Sequence, residues 1–141
     1  MKRFLFLAPI VTLLVGCSQA PSTPKETSPQ VLADGLQVYT ANCAACHQVD
    51  GSGVPNIQPA LIDDDIVAGD TTQLIRVVLQ GPSAVLPAGR PVYSNKMPPF
   101  NRRTDQQIAD VLTYIRHDLA QQTFPAIDPD QVQRLRAQYV P

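Results

Sequence analysis

Apolar residues fall along this chain in one unbroken run and then in four patches with helical spacing. The unbroken run, residues 4–15, follows Lys2 and Arg3. It is too short for a comfortable membrane span and reads as the core of a signal peptide. Residues 18–30 carry Pro21, Pro24 and Pro29 and no large apolar side chain, the mark of an extended linker. At about 3.1 Å per residue such a linker reaches roughly 40 Å. In residues 31–42, Val31, Leu32, Gly35, Val38 and Tyr39 repeat at i, i+4 and i+7, which predicts an amphipathic helix. Glycine costs about 1 kcal/mol against alanine inside a helix, so Gly35 points to a close helix crossing.

The next patch, 70–80, predicts a helix capped by Asp70 with Gln73 completing a capping box. Leu74, Val77 and Val78 form its inner face and Gly81-Pro82 ends it. Residues 82–95, with Pro82, Pro87 and Pro91, show no periodicity and read as a loop. Residues 104–119 give the strongest helical signal: a Thr104/Gln107 capping box, then a stripe of Ile108, Val111, Leu112 and Ile115. In the tail, Asp128-Pro129 pairs an N-cap with proline at the first helical position, and Val132, Leu135 and Tyr139 share a face. That short helix is expected to dock on its own domain. At 141 residues the chain holds one domain, 31–120, between the leader and linker on one side and the tail, 121–141, on the other.

Chemistry enters at Cys43-Ala44-Ala45-Cys46-His47. The spacing is that of a c-type haem attachment site. Two thiols one near-helical turn apart reach the two vinyl groups of haem, and the histidine that follows points at the iron. A redox CxxC pair calls for a preceding strand and a βαβ context, whereas a helical pattern precedes these residues. A structural zinc site needs four nitrogen or sulfur ligands, and the chain offers no second CxxC and no HxxxH. Asp63, Asp64 and Asp65 read as a solvated turn or helix start before a partner contact. His117, between Arg116 and Asp118 in a helical stretch, reads as solvent-exposed or capping rather than as a ligand.

Composition changes the picture at the amino terminus. Leu14-Val15-Gly16-Cys17 resembles a bacterial lipobox, whose cysteine is lipidated and becomes the mature terminus. The three cysteines then divide without remainder: Cys43 and Cys46 to haem, Cys17 to lipid, none to a disulfide. The alternatives for this end are an ordinary secretory signal or a stop-transfer helix. By resemblance to other lipoproteins, Ser18 in place of Asp leans towards the outer membrane. The full chain has 11 basic and 12 acidic residues. Without Lys2 and Arg3 the balance is 9 against 12, a net −3 that gives no electrostatic case for nucleic acid.

From His47 onward the chain resembles the small monohaem class I cytochromes c: the CxxCH, a Gly51-x-Gly53-x-Pro55 run, Pro59-Ala60-Leu61, and Met97-Pro98-Pro99-Phe100. The resemblance covers about residues 31–120 and implies an all-α cytochrome c fold of about four helices around one covalent haem c. It implies that the Pro59 carbonyl accepts from the imidazole Nδ1–H of His47, and that Met97 supplies the second axial ligand. Met97 is the only methionine after Met1, and the prolines behind it stiffen its presentation. The competing reading of Met97 is a core gap-filler. In this family the first and last helices cross near the haem, small residue against aromatic, which Gly35 and Tyr114 fit. Arg90, Lys96, Arg102 and Arg103 surround Met97, as a basic rim for an acidic partner or as merely solvated loop.

A domain of about 90 residues has little chain for a core, so the apo-protein is expected to be largely unfolded. The functional expectation is one-electron transfer, without enzyme activity of its own, between extracytoplasmic redox partners such as a dehydrogenase, a respiratory complex or a terminal oxidase. The protein would be anchored to a bacterial membrane by lipid on Cys17. The competing class is a haem-based ligand sensor or peroxidase-like enzyme in which Met97 dissociates; no distal His or Arg arrangement in the sequence supports it. A purely structural lipoprotein would require an unmodified CxxCH.

Overall fold

Ser28 starts the first helix: its hydroxyl accepts from the Val31 amide (3.3 Å), and Pro29, at the first helical position, has no amide to satisfy. Helix α1 therefore spans Pro29–Asn42, beginning two residues before the apolar periodicity does. The computed structural model describes residues 27–140. Residues 1–26 lie outside that range, so the leader, Cys17 and most of the 18–30 linker have no structural account. Val31, Gly35 and Tyr39 bury one face of α1, four residues apart, as a helix with one covered stripe requires.

Among the described residues there are no strands beyond a single Val54–Gln58 bridge, in keeping with an all-α expectation. Four helices have ten residues or more: α1, α4 (Thr71–Gln80), α6 (Asp105–Tyr114) and α7 (Pro129–Tyr139). Three single turns join them: α2 (Ala44–His47), α3 (Asp65–Ala68) and α5 (Pro82–Val85). One of these turns corrects the sequence reading. Within 82–95, Pro82 initiates a helical turn rather than loop, because its fixed φ and missing amide suit a first helical position. The acidic run is a helix start, one of the two readings expected of it: Asp64 accepts from Ile66 (2.8 Å) and Val67 (3.1 Å).

Helix α6 has the capping box expected of it, with Thr104 Oγ1 accepting from the Gln107 amide and Gln107 Oε1 from the Thr104 amide, both 3.1 Å. Its stripe of Ile108, Val111, Leu112 and Ile115 is buried. The α-helix ends at Tyr114, however, and Ile115–Leu119 continues as one π-helical turn. Along α4, Asp70 caps through Gln73 N (2.8 Å). Its covered face is wider than the expected Leu74, Val77 and Val78. Ile75 and Leu79 are fully buried while Val78 is only half-buried, because α4 packs on the core and on α7 as well as on the cavity described below.

The two central helices meet at Gly35. A Cβ there would stand 2.3 Å from the Asp110 carbonyl oxygen and 2.6 Å from Tyr114 Cβ, so the crossing of α1 on α6 is a backbone-to-backbone contact. Tyr39 and Tyr114 pack beside it with ring centroids 5.6 Å apart. The tail joins the same core through Ile127, Val132 and Leu135, so α7 docks on its own domain. Arg116 is buried in the π-helical turn and donates to Val67 O (2.8 Å), Gly69 O (2.7 Å) and Thr71 Oγ1 (2.8 Å), tying α3 and α4 to α6. Burial lowers its pKa, with Asp70 opposing the shift.

Candidate functional site

The Cys43–His47 pentapeptide leaves α1 as a separate turn. The amides of Cys46 (3.0 Å) and His47 (2.9 Å) both donate to Cys43 O, which sets the two sulfurs and the imidazole one turn apart. Cys43 is half-buried and Cys46 exposed. For a free thiol at Cys43, burial pushes the pKa up to about 11; Cys46 adds to the rise and Arg103 works against it.

His47 is buried and its Nδ1 lies 2.9 Å from Pro59 O. A carbonyl only accepts, so Nδ1 carries the proton and Nε2 is left as a bare lone pair, available to a metal. Two left-handed glycines make the loop that brings Pro59 back. Gly53 (φ 64°) donates to His47 O (3.0 Å), and Leu61 donates to the carbonyl of Gly51 (φ 73°) at 2.7 Å. Tyr39 supports the turn from below, its hydroxyl donating to Gln48 O (2.5 Å). Desolvation on burial is the main reason its pKa lies far above the ordinary tyrosine value.

Met97 is half-buried and comes from a segment fastened at both ends. Before it, Ser94 and Asn95 donate to Asn56 O (3.1 Å) and Ile57 O (3.3 Å), joining this segment to the Pro59 loop. After it, Phe100 donates to Val78 O on α4 (2.8 Å). Gly81 (φ 82°), at the end of α4, lies against the Met97 carbonyl, where a Cβ would stand 3.4 Å from the oxygen.

Cys43, Cys46, His47, Pro59 and Met97 all line one cavity of about 570 Å³. That is within the range of cofactor sites, roughly 300–1,000 Å³. Its depth is apolar, with Leu74, Val77, Ile108 and Leu112 among the lining. Protein interiors hold few voids larger than a water molecule, so an apolar hollow of this size at the centre of so short a chain is a receptacle. The haem expected from the pentapeptide fits these residues: two thiols at the edge, an imidazole with its free nitrogen uncommitted, and a soft thioether on the same cavity.

Polar groups are confined to particular places around it. Arg90, Lys96 and Arg103 line the cavity and are exposed, with Arg102 exposed beside them. Asp64, the acidic residue on the lining, has its carboxylate occupied by two α3 amides. Gln107, expected in the capping box of α6, also reaches the lining, while Gln58, buried there, was not singled out from sequence. No periodicity or motif marks Gln58. His117 is exposed at the surface, with Nδ1 2.8 Å from Asp118 Oδ1, as expected for a residue that is not a ligand. Among the described residues no three His, Cys, Asp or Glu side chains gather as a metal-binding group, and no helix is long and apolar enough to cross a membrane.

Comparison with known proteins agrees with this geometry. Residues 32–118 match the family model described as cytochrome c. The chain is 34% identical over 110 residues to the cytochrome c subunit of a quinone alcohol dehydrogenase from Gluconobacter oxydans (76% of this chain, 23% of that one). It is 41% identical over 85 residues to the cytochrome c subunit of a gluconate 2-dehydrogenase from Pantoea cypripedii (58% and 19%). It is 37% identical over 87 residues to cytochrome c-552 of Thermus thermophilus (59% and 66%). The chain thus spans about a fifth of the two dehydrogenase subunits and just under two thirds of cytochrome c-552.

Proposed function

This chain belongs to the cytochrome c family, and from that premise we propose that it carries single electrons between redox proteins outside the cytoplasm, with His47 and Met97 as axial ligands. Family membership implies covalently bound haem c, whose iron exchanges one electron between its ferrous and ferric forms. The observation that carries the reading is the shared cavity: His47, whose Nδ1 is taken by Pro59 O, and Met97 line the same apolar space.

The roles follow from the residues. Cys43 and Cys46 would hold the group through thioether bonds. Pro59 O fixes the orientation of the His47 ring and raises the basicity of its free nitrogen. Met97 offers a soft, neutral sulfur, which favours the reduced state and raises the potential. If His47 and Met97 both ligated the iron, no coordination site would be left open for a substrate, as a carrier rather than a ligand sensor or peroxidase-like enzyme requires.

The partner class proposed is a dehydrogenase or another respiratory complex, since two relatives bear the names of dehydrogenase subunits. Arg90, Lys96, Arg102 and Arg103, exposed around Met97, suit an acidic partner surface and an association rate that falls with salt. Lipid on Cys17 and the 18–30 linker would keep the domain at a membrane surface.

Expression in a host that matures c-type proteins tests the electron-transfer reading. The exported protein should show the mass shift of one covalent haem, sharp visible bands when reduced, and a near-infrared thioether-to-ferric band that Met97→Ala abolishes. A colourless product, or an unchanged band in Met97→Ala, would overturn it. Cys17→Ala should move the protein from the membrane to the soluble fraction.

A further inference from the structure

The C-terminal helix α7 lies beyond the residues matched by the family model, yet its one half-buried arginine is directed at the segment that presents Met97. Arg136 donates from Nε to Asp105 Oδ1 (2.7 Å), from Nη2 to Arg103 O (2.7 Å) and from Nη1 to Asn101 O. One planar guanidinium thus holds three acceptors within five residues, directly after Met97-Pro98-Pro99-Phe100. A fork of this kind gains geometric specificity that a single surface ion pair lacks.

The segment it holds has few anchors of its own. Pro98 and Pro99 have no amide hydrogen, so Phe100 is the first residue after Met97 able to donate, and it donates to Val78 O on α4. Arg103 N then closes a turn onto Phe100 O (3.0 Å). Helix α7 also grips α4. Gln80 Nε2 donates to Tyr139 O (3.2 Å), and the Arg76 guanidinium stands 4.1 Å from the Tyr139 ring centroid. Both supports of the Met97 segment, the end of α4 and the turn at 101–105, are therefore held by the same tail helix. Helix α7 is also seated by Val132 and Leu135, both buried in the core, so it has apolar anchors besides the three bonds of Arg136.

We propose that α7 is a clamp on the axial-ligand loop, with Arg136 the positioning residue that keeps the Met97 sulfur on the iron. This rests on the ligation by Met97 proposed above. Releasing the guanidinium raises the fraction of molecules whose loop is open, and an external ligand binds in proportion to that fraction.

The test is titration of the purified ferric holoprotein with imidazole, which competes for the Met97 position, together with amide exchange at Phe100 and Arg103. Arg136→Ala is expected to bind imidazole about tenfold more tightly, equivalent to about 1.4 kcal/mol, and to exchange both amides faster. Arg136→Lys, whose ammonium reaches Asp105 but not both carbonyls, should fall between wild type and Arg136→Ala and covers the case in which the alanine variant does not fold. Ile75→Ala, a core change on α4 away from the cavity lining, should lower the melting temperature and keep the wild-type imidazole affinity. Wild-type affinity in both Arg136 variants, or an equal rise in Ile75→Ala, overturns the clamp. If Met97→Ala leaves the ferric spectrum unchanged, the ligation itself is wrong and the clamp falls with it. If Met97→Ala abolishes the thioether band while the Arg136 variants stay at wild-type affinity, the clamp alone falls.

Discussion

Gly53→Ala strikes the bond that orients His47. At Gly53 an added methyl would lie 2.5 Å from Pro59 O, 2.6 Å from its carbon and 2.7 Å from Ala60 N, all backbone atoms, at a φ of 64°. Relief to ordinary contact needs a shift of about 1 Å. Gly53 cannot retreat freely, since its amide is bonded to His47 O (3.0 Å). The Pro59 carbonyl therefore moves, and the His47 Nδ1 bond lengthens. The left-handed backbone costs alanine about 1–2 kcal/mol, the overpacking about 1–3 kcal/mol, and the weakened hydrogen bond about 0.5–1.5 kcal/mol. Alanine's smaller unfolded-state entropy returns about 0.4–1 kcal/mol. The net loss is roughly 2–6 kcal/mol, a fall in melting temperature of roughly 8–24 °C for a domain of this size. The potential carries a second signature. Nδ1–H donation makes His47 a stronger donor to iron and favours the ferric state, so weakening it raises the potential, by about 40 mV for each 1 kcal/mol by which the bond is stronger in the ferric state. Thermal unfolding by circular dichroism and a redox titration of the holoprotein read the two effects. A variant that melts within about 2 °C of wild type, or whose potential falls, refutes the reasoning.

Two further substitutions test the scaffold. Gly35→Ala sets a methyl 2.3 Å from Asp110 O, so the clash outweighs the gain of about 1 kcal/mol in helix propensity. With the clash at the upper end of the usual overpacking cost, a net loss of about 2 kcal/mol should appear in denaturant unfolding, and a neutral or stabilised variant would refute the close crossing. Tyr39→Phe removes the bond to Gln48 O and should cost about 0.5–1.5 kcal/mol at neutral pH. Its alkaline behaviour carries a definite sign. The folded-state pKa of Tyr39 is raised, so its contribution is complete below the unfolded value near 10 and is lost as pH rises above it. Wild type should lose about 1.4 kcal/mol per pH unit for each such proton, and Tyr39→Phe should show a shallower alkaline loss, with Tyr114, also raised by burial, retaining its share. Equal alkaline slopes in the two proteins would count against it.

What was legible in the sequence was local. Ser28-Pro29 aside, the caps at Asp70, Thr104 and Asp128 and the stripe of α6 sit where short-range patterns put them, because capping and helical periodicity act within one or two turns. The Gly35–Tyr114 contact was legible only through family resemblance, since nothing local links positions so far apart. The same distance hid Arg116 and Arg136. An arginine in a helical pattern reads as solvated, and their acceptors lie 31 to 49 residues away along the chain. Ile75 and Leu79 were missed on α4 because a helix covered on two sides does not show one stripe.

The α1–α6 crossing also has a bearing on biosynthesis. Its partners stand roughly 75 residues apart, and closing a loop of that length costs on the order of 4 kcal/mol in chain entropy before any contact repays it. Helix α1 thus lacks its α6 partner until the roughly 75 residues that follow Gly35 have been made. Until then the main face of α1 stays uncovered, and this core closes in a late event rather than piece by piece.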